Sequence, residues 1–79
     1  MAEYQFTQRI HVVNFDLMID PVANYGYFEH HKYGDNLAGG LWFEGRELVD
    51  YGGVACLPRP IIDALELAGY DTPSQVVEI

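Results

Sequence analysis

Histidine and carboxylate side chains are the first candidates for chemistry in this sequence. Glu29, His30 and His31 are consecutive, and His11 is the remaining histidine. Adjacent residues of a strand point to opposite faces of a sheet, so His30 and His31 are poorly placed to bind one ion together. Neither a Cys-x-x-Cys nor a His-x-x-x-His spacing is present. We therefore expect no metal site, with the histidines exposed to solvent or at an interface.

Three further patterns fall short of a catalytic or ion-binding motif. Asp35 follows a glycine, but the spacing of a calcium loop is absent. Gly39 and Gly40 lack the lysine of a phosphate-binding loop and are better explained as a bend in the chain. Cys56 is the single cysteine, which excludes an intramolecular disulfide, and no neighbouring pattern supplies a base. We expect Cys56 to be buried, and we expect no catalytic residue and no cofactor.

Negative charge is the strongest signal in the composition. Twelve acidic residues against four Lys and Arg give a formal net charge of −8. Direct binding to a nucleic-acid backbone needs clustered basic residues and is disfavoured. A basic protein surface is the favoured partner, including the nucleic-acid channel of another protein, because spaced carboxylates can imitate a row of phosphates. The residues that we expect to bind it are the carboxylates Glu44, Glu47, Asp50, Asp63 and Glu66 and the aromatic anchors Tyr27 and Trp42.

A β-hairpin must position most of these side chains. Glu44 and Gly45 lie between two apolar runs and predict a two-residue turn, since glycine adopts the positive φ that such a turn needs. The predicted cross-strand pairs are Phe43 with Arg46, Trp42 with Glu47, and Leu41 with Leu48. Side chains alternate along a strand, so one face receives Leu41, Phe43 and Leu48. The other face receives Trp42, Val49 and Tyr51.

A short helix is predicted over residues 60–68. Its apolar residues follow a helical period, and Gly69 is a typical stop. Pro58 and Pro60 suit the start, where a missing N–H does no harm. Asp63 and Glu66 face away from the apolar stripe, which consists of Ile61, Ile62, Leu65 and Ala68.

The rest of the chain predicts further strands and turns. Alternation over residues 4–15 indicates a long first strand, and Asp20 with Pro21 indicates a turn, with a single helical turn as the alternative. Residues 25–30 favour a second strand over a helix because they are aromatic and include Gly26. Residues 32–40 are predicted to be a loop and 71–74 a turn. Residues 75–79 are left as either a short strand or a tail.

These elements predict an α+β fold, with an antiparallel sheet of about four strands and one helix on one face. The 79 residues suit a single domain. A core this small leaves roughly 3–5 kcal/mol of net stability, so a homodimer or a bound partner could add to it. The sequence contains neither an apolar run long enough to span a membrane nor a secretory leader, and we expect a cytoplasmic protein.

Three segments resemble small proteins encoded by phages and other mobile elements. The segments are Tyr25-Gly26-Tyr27-Phe28-Glu29-His30, Gly39-Gly40-Leu41-Trp42-Phe43-Glu44-Gly45 and Glu47-Leu48-Val49-Asp50-Tyr51, followed by Leu57-Pro58 and the predicted helix. Small acidic proteins of this kind include anti-CRISPR proteins. The resemblance implies stoichiometric inhibition of a CRISPR effector in a bacterial host cell by occupying a protein surface, sometimes as a DNA mimic. It carries no catalytic motif and assigns no residue as a contact.

We therefore expect a non-enzymatic inhibitor of the anti-CRISPR type, which binds a Cas protein or effector complex through an acidic and aromatic surface. One alternative is a structural or regulatory accessory module that acts by self-association or protein binding. A second alternative is a small enzyme or metal protein.

Overall fold

The computed structural model describes residues 4–77, which form an antiparallel sheet and two helices. The five strands lie side by side in chain order. They are β1 (Gln8–Val12), β2 (Phe15–Asp20), β3 (Tyr25–His30), β4 (Gly34–Glu44) and β5 (Glu47–Gly52). The helices α1 (Arg59–Leu67) and α2 (Ser74–Val77) follow. The predicted α+β class is confirmed, although the sheet has five strands rather than about four and a second short helix follows α1.

The core lies between one face of the sheet and α1. Alternate residues of the strands point to this core face and meet the apolar stripe of α1, as the helical period predicts. Burying a Leu, Ile or Phe side chain contributes about 1.5–3 kcal/mol each, so this layer is the main source of stability. The side chains with at most 1% exposure are Leu17, Ile19, Phe28, Leu41, Leu48, Ile61 and Leu65.

The predicted single strand over residues 4–15 is wrong. The chain reverses at Val13 and Asn14, so that Val12 and Phe15 stand opposite each other at the start of the β1–β2 pair. Asn14 has a φ of 69°, a left-handed conformation that asparagine tolerates better than most residues. The apolar residues around the turn concealed it, because they extend the strand pattern on both sides.

The turn predicted at Asp20 is confirmed, and the Asp20 carboxylate organises it. Oδ1 accepts hydrogen bonds from the backbone N–H groups of Val22 and Ala23 at 3.0 Å, and Oδ2 accepts one from Gln5 at 2.8 Å. The side chain is only 4% exposed. The Ala23 bond first, then the Gln5 and Val22 bonds, lower the pKa of Asp20, and partial desolvation opposes them. Asp20 thus ties the N-terminal segment to the β2–β3 turn, after which β3 follows as predicted.

The loop predicted over residues 32–40 is wrong from Gly34 onward, because β4 begins there. Gly39 explains why a glycine-containing segment can be a central strand. A Cβ atom at Gly39 would stand 2.2 Å from the carbonyl oxygen of Gly52 and 3.1 Å from the ring of Phe28. Gly39 is therefore required by close packing in the sheet and is not the bend that we expected.

The hairpin turn lies one residue further along than predicted. Gly45 and Arg46 form the turn, with Gly45 at a φ of 63°. The pairs are Glu44 with Glu47, Phe43 with Leu48, Trp42 with Asp50, and Leu41 with Tyr51, and a bulge at Val49 shifts the register. The prediction that Leu41, Phe43 and Leu48 share one face is confirmed, and all three are buried. Tyr51 packs against the core rather than sharing a face with Trp42, because the bulge reverses its side.

The C-terminal part contains both confirmed and incorrect predictions. The helix predicted over 60–68 is α1, and Gly69 ends it with a φ of 95°. Asp71 is not in a turn but forms a parallel bridge with Glu47 beside β5. Residues 75–77 belong to α2 instead of a strand or tail, whereas 78–79 lie outside the described residues. Cys56 is exposed, contrary to our expectation, because Leu57 is the residue of that segment that enters the core.

None of the helices between residues 4 and 77 has both the length and the apolar character needed to cross a membrane.

Candidate functional site

The candidate site is the outer face, which is the side of the sheet opposite α1. Trp42 lies between the buried residues Leu41 and Phe43, so its side chain points to the outer face. Strand pairing arranges the outer-face residues in cross-strand rows. The central row is Tyr25–Trp42–Asp50. Its neighbours are Arg9–Met18–Tyr27–Gly40–Gly52 and His11–Asp16–Glu29–Ala38, so Arg9 is a basic residue at the β1 end of this face.

An aromatic cluster occupies one end of the outer face and consists of Tyr4, Phe6, Tyr25 and Trp42. Tyr25 is at its centre. The Tyr25 ring stacks on Tyr4 with a centroid distance of 4.4 Å and meets Trp42 edge-on at 5.3 Å. Phe6 lies 6.1 Å from Tyr25. Such pairs restrict the rings to one geometry, yet Tyr4 and Trp42 remain 49% and 42% exposed.

Gly40 makes room for the indole of Trp42, and Gly52 lies beside the same ring. A Cβ atom at Gly40 would stand 3.0 Å from Cη2 of Trp42 and 2.8 Å from the hydroxyl oxygen of Tyr25. A Cβ atom at Gly52 would stand 3.4 Å from Cζ3 of Trp42. The six-membered ring therefore packs over the backbone of both glycines, while part of the indole stays open to solvent.

Carboxylates surround the aromatic cluster on the outer face. Asp50 is directly opposite Trp42, and Glu44 is opposite Glu47 at the hairpin end. Like charges placed opposite each other on neighbouring strands are destabilising, so the Glu44–Glu47 pair costs the fold stability. Glu29 lies beside Tyr27, whose hydroxyl donates to its carboxylate at 3.5 Å.

Tyr25 and Tyr27 are neutral hydrogen-bond donors at neutral pH. Burial first, and then the charges of Glu29 and Asp35, raise the pKa of the Tyr27 phenol above its usual value of 10.0. Burial, followed by the proximity of Tyr4, raises the pKa of Tyr25 in the same way. Their hydroxyl groups therefore add hydrogen-bond donors beside the aromatic rings and carboxylates of this surface.

Three of the four basic residues are engaged away from the outer-face carboxylates. Arg46 donates to the carbonyl oxygens of Ala68 and Gly69 at 2.7 and 2.9 Å, at the carboxyl end of α1. Arg59 pairs with Asp63 on α1, with 3.3 Å between Nε and Oδ1. Lys32 lies over the Tyr33 ring. Within residues 4–77, no Lys or Arg forms an ion pair with an outer-face carboxylate.

The structure divides the predicted binding residues between two sides of the sheet. The exposed side of α1 carries Asp63, which pairs with Arg59, and Glu66, which accepts a hydrogen bond from Thr72. These two residues therefore lie on the helix side of the sheet, whereas the sequence grouped them with the hairpin carboxylates. The outer face carries the other five, which are Tyr27, Trp42, Glu44, Glu47 and Asp50.

Several outer-face residues were not predicted from the sequence. Tyr25 joins Trp42 because β3 pairs with β4. Tyr4 and Phe6 reach Tyr25 because the Asp20 carboxylate holds the backbone of Gln5, which lies between them. The aromatic composition near the N-terminus was the only local signal, and it was consistent with a simple strand. The missing information was the long-range pairing of β3 with β4.

The histidines do not converge on one point. His11 and His31 are exposed, and Nε2 of His31 lies 3.2 Å from the Asp16 carboxylate. His30 is partly buried, meets Phe15 edge-on and accepts a hydrogen bond from the Lys32 N–H. The described part of the chain contains no group of three His, Cys, Asp or Glu side chains arranged to hold a metal ion.

Comparison with known proteins identifies no relative. No family model, no curated protein and no solved structure matches the chain. Any functional conclusion therefore depends on the chemistry of the outer face.

Proposed function

We propose that this protein is a non-enzymatic inhibitor of the anti-CRISPR type, which binds a basic surface of a Cas protein or effector complex through its outer face. The observation that carries the proposal is the central row, which places an exposed Trp42 between Tyr25 and the carboxylate of Asp50. Trp and Tyr are enriched among the residues that dominate interface energies. A carboxylate beside them selects a positively charged partner.

The distribution of charge supports the same proposal. The chain has a net charge of −8, and the outer-face carboxylates are not paired with Lys or Arg within residues 4–77. An acidic surface speeds association with a basic partner and repels nucleic acid. A Cas effector has to expose a basic channel to hold its nucleic acids, since their backbones are polyanions. A nucleic-acid mimic would occupy this channel.

The first experiment is a pull-down from a bacterial lysate with an active CRISPR system, followed by a target-DNA binding assay on the captured complex. Capture of a Cas subunit with loss of DNA binding is the result expected for a mimic. Capture with intact DNA binding would place inhibition at a later step, such as nuclease recruitment. Failure to capture any Cas protein would contradict the proposed partner.

Charge reversal tests whether the acidic hairpin end makes the contact. The double variant E44K/E47K should weaken binding to the captured Cas subunit about tenfold, because it replaces two carboxylates with ammonium groups that repel a basic partner. Surface plasmon resonance measures the change. The matched control uses α1 instead, because D63K/E66K makes the same charge change on the helix side of the sheet. Equal losses in both variants would indicate general attraction and contradict a specific outer-face contact.

Self-association remains the alternative function, and one feature of the sheet favours it. β1 is an edge strand, paired only with β2 within the described residues. The other edge is partly covered, because Asp71 bonds to the backbone beside β5. An open edge strand can template pairing with another chain.

A further inference from the structure

We propose that Trp42 and Asp50 form a binding position for the guanidinium group of an arginine on the partner protein. The inference rests on the proposed function only in taking the outer face as the binding surface, and it names the side chain that this surface recognises. Three features carry it: the fixed position of the indole, the placement of one carboxylate beside it, and the chemistry that separates arginine from other occupants.

The indole of Trp42 is held in place before any partner binds. Tyr25 meets it edge-on at 5.3 Å, and the backbone of Gly40 and Gly52 lies beneath its six-membered ring. Trp42 is nevertheless 42% exposed. A rigid aromatic surface loses little conformational freedom on binding, so contacts made to it contribute fully to affinity. Its π-system attracts cations that lie within about 6 Å of the ring.

Asp50 supplies the negative charge at the adjoining position. It is the direct cross-strand partner of Trp42, at a separation of about 5 Å between Cβ atoms for such pairs. Oδ1 of Asp50 accepts a hydrogen bond from the N–H of Tyr51 at 2.8 Å, which fixes the carboxylate. Within the part of the chain that the structure describes, no Lys or Arg pairs with this carboxylate.

Arginine fits this arrangement better than the other candidate occupants. A planar guanidinium stacks on an aromatic ring and donates from its edge to a carboxylate, whereas the lysine ammonium is compact and strongly hydrated. An apolar side chain would bury the Asp50 carboxylate without a partner, which is costly. A nucleotide could stack on Trp42, but its phosphate would be repelled by the acidic surface.

The probe is an arginine homopeptide, compared with lysine and citrulline homopeptides of the same length at physiological salt. Trp42 is the only tryptophan, so its fluorescence reports on this position alone. The arginine peptide should change the Trp42 emission and bind about fivefold more tightly than the lysine peptide. The neutral citrulline peptide, which has nearly the same shape as the arginine peptide, should not bind measurably.

Two variants with the same charge change locate the contact. D50N should weaken binding of the arginine peptide about fivefold and remove its preference over lysine, because the edge of the guanidinium loses its acceptor. D63N changes the charge equally on α1 and should leave the preference intact. The unfolding temperature of each variant establishes that the fold persists. Equal affinity for the two cationic peptides, or unchanged emission at saturation, would overturn the proposal.

The arginine site and the Cas partner are tested by different results. Arginine preference at Trp42 without capture of a Cas protein would leave the arginine site standing and remove the Cas partner. Capture of a Cas protein that is equally strong for wild type and for W42L would remove the arginine site and leave the inhibitor proposal standing.

Discussion

At the scale of single residues, Asp20 shows how one side chain joins two parts of the chain. Its two carboxylate oxygens accept different hydrogen bonds: Oδ1 organises the β2–β3 turn, and Oδ2 holds the backbone of Gln5. The N-terminal segment held in this way carries Tyr4 to its stacking position on Tyr25. A carboxylate far from the hairpin therefore contributes to the shape of the outer face.

The variant D20N should lower the unfolding temperature at neutral pH by roughly 5 °C. An asparagine oxygen can still accept from Val22 and Ala23, but the amide NH₂ would then face the N–H of Gln5. The folded-state pKa of Asp20 lies below its ordinary value of 3.8, so its contribution is present above about pH 4 and is lost as the pH falls through the folded-state pKa.

Thermal unfolding at several pH values measures this contribution. The difference between wild type and D20N should shrink as the pH falls below about 4, because the wild-type carboxyl becomes protonated. D63N serves as the control, since an exposed ion pair contributes little to stability. A difference that stays constant down to the lowest pH would show that the charge of Asp20 is unimportant.

At the scale of elements, the sequence predicted the features that depend on interactions between residues close together in the chain. The apolar stripe of α1 and the glycine that ends it could be predicted from the sequence, because the backbone hydrogen bonds of a helix join residues that are close in the chain. The register of β4 with β5 was not visible, since the bulge at Val49 depends on pairing across the sheet. The same bulge placed Asp50 opposite Trp42, where the sequence predicted Glu47. The candidate site was therefore predictable in its residue types but not in its geometry.

The variant G39A tests why β4 was mistaken for a loop. Its Cβ atom would stand 2.2 Å from the carbonyl oxygen of Gly52, so β4 and β5 would have to separate. We expect a loss of roughly 2–3 kcal/mol in the free energy of unfolding, measured with urea. G52A is the matched control, because its Cβ atom meets only Trp42 at 3.4 Å and should change stability by less than about 0.5 kcal/mol. Similar losses in both variants would contradict close strand packing as the reason for Gly39.

At the scale of the whole molecule, the fold separates the residues that stabilise it from the residues that we propose to bind a partner. The core face and α1 bury the apolar side chains, whereas the outer face leaves Trp42 exposed and places Glu44 opposite Glu47. Neither feature stabilises the isolated chain. Both are useful when a basic partner covers this face, since it shields the indole from water and neutralises the two carboxylates.

The chain should therefore be a monomer at micromolar concentration in multi-angle light scattering. Two outer faces brought together would oppose their carboxylates, and the net charge of −8 adds long-range repulsion. Light scattering at low and at high salt would distinguish a dimer formed through the acidic faces from one formed through the β1 edge. A dimer that forms only at high salt would place the acidic faces in contact, because salt screens their repulsion. A dimer that is insensitive to salt would indicate pairing through the β1 edge, and it would favour the self-association function over the inhibitor.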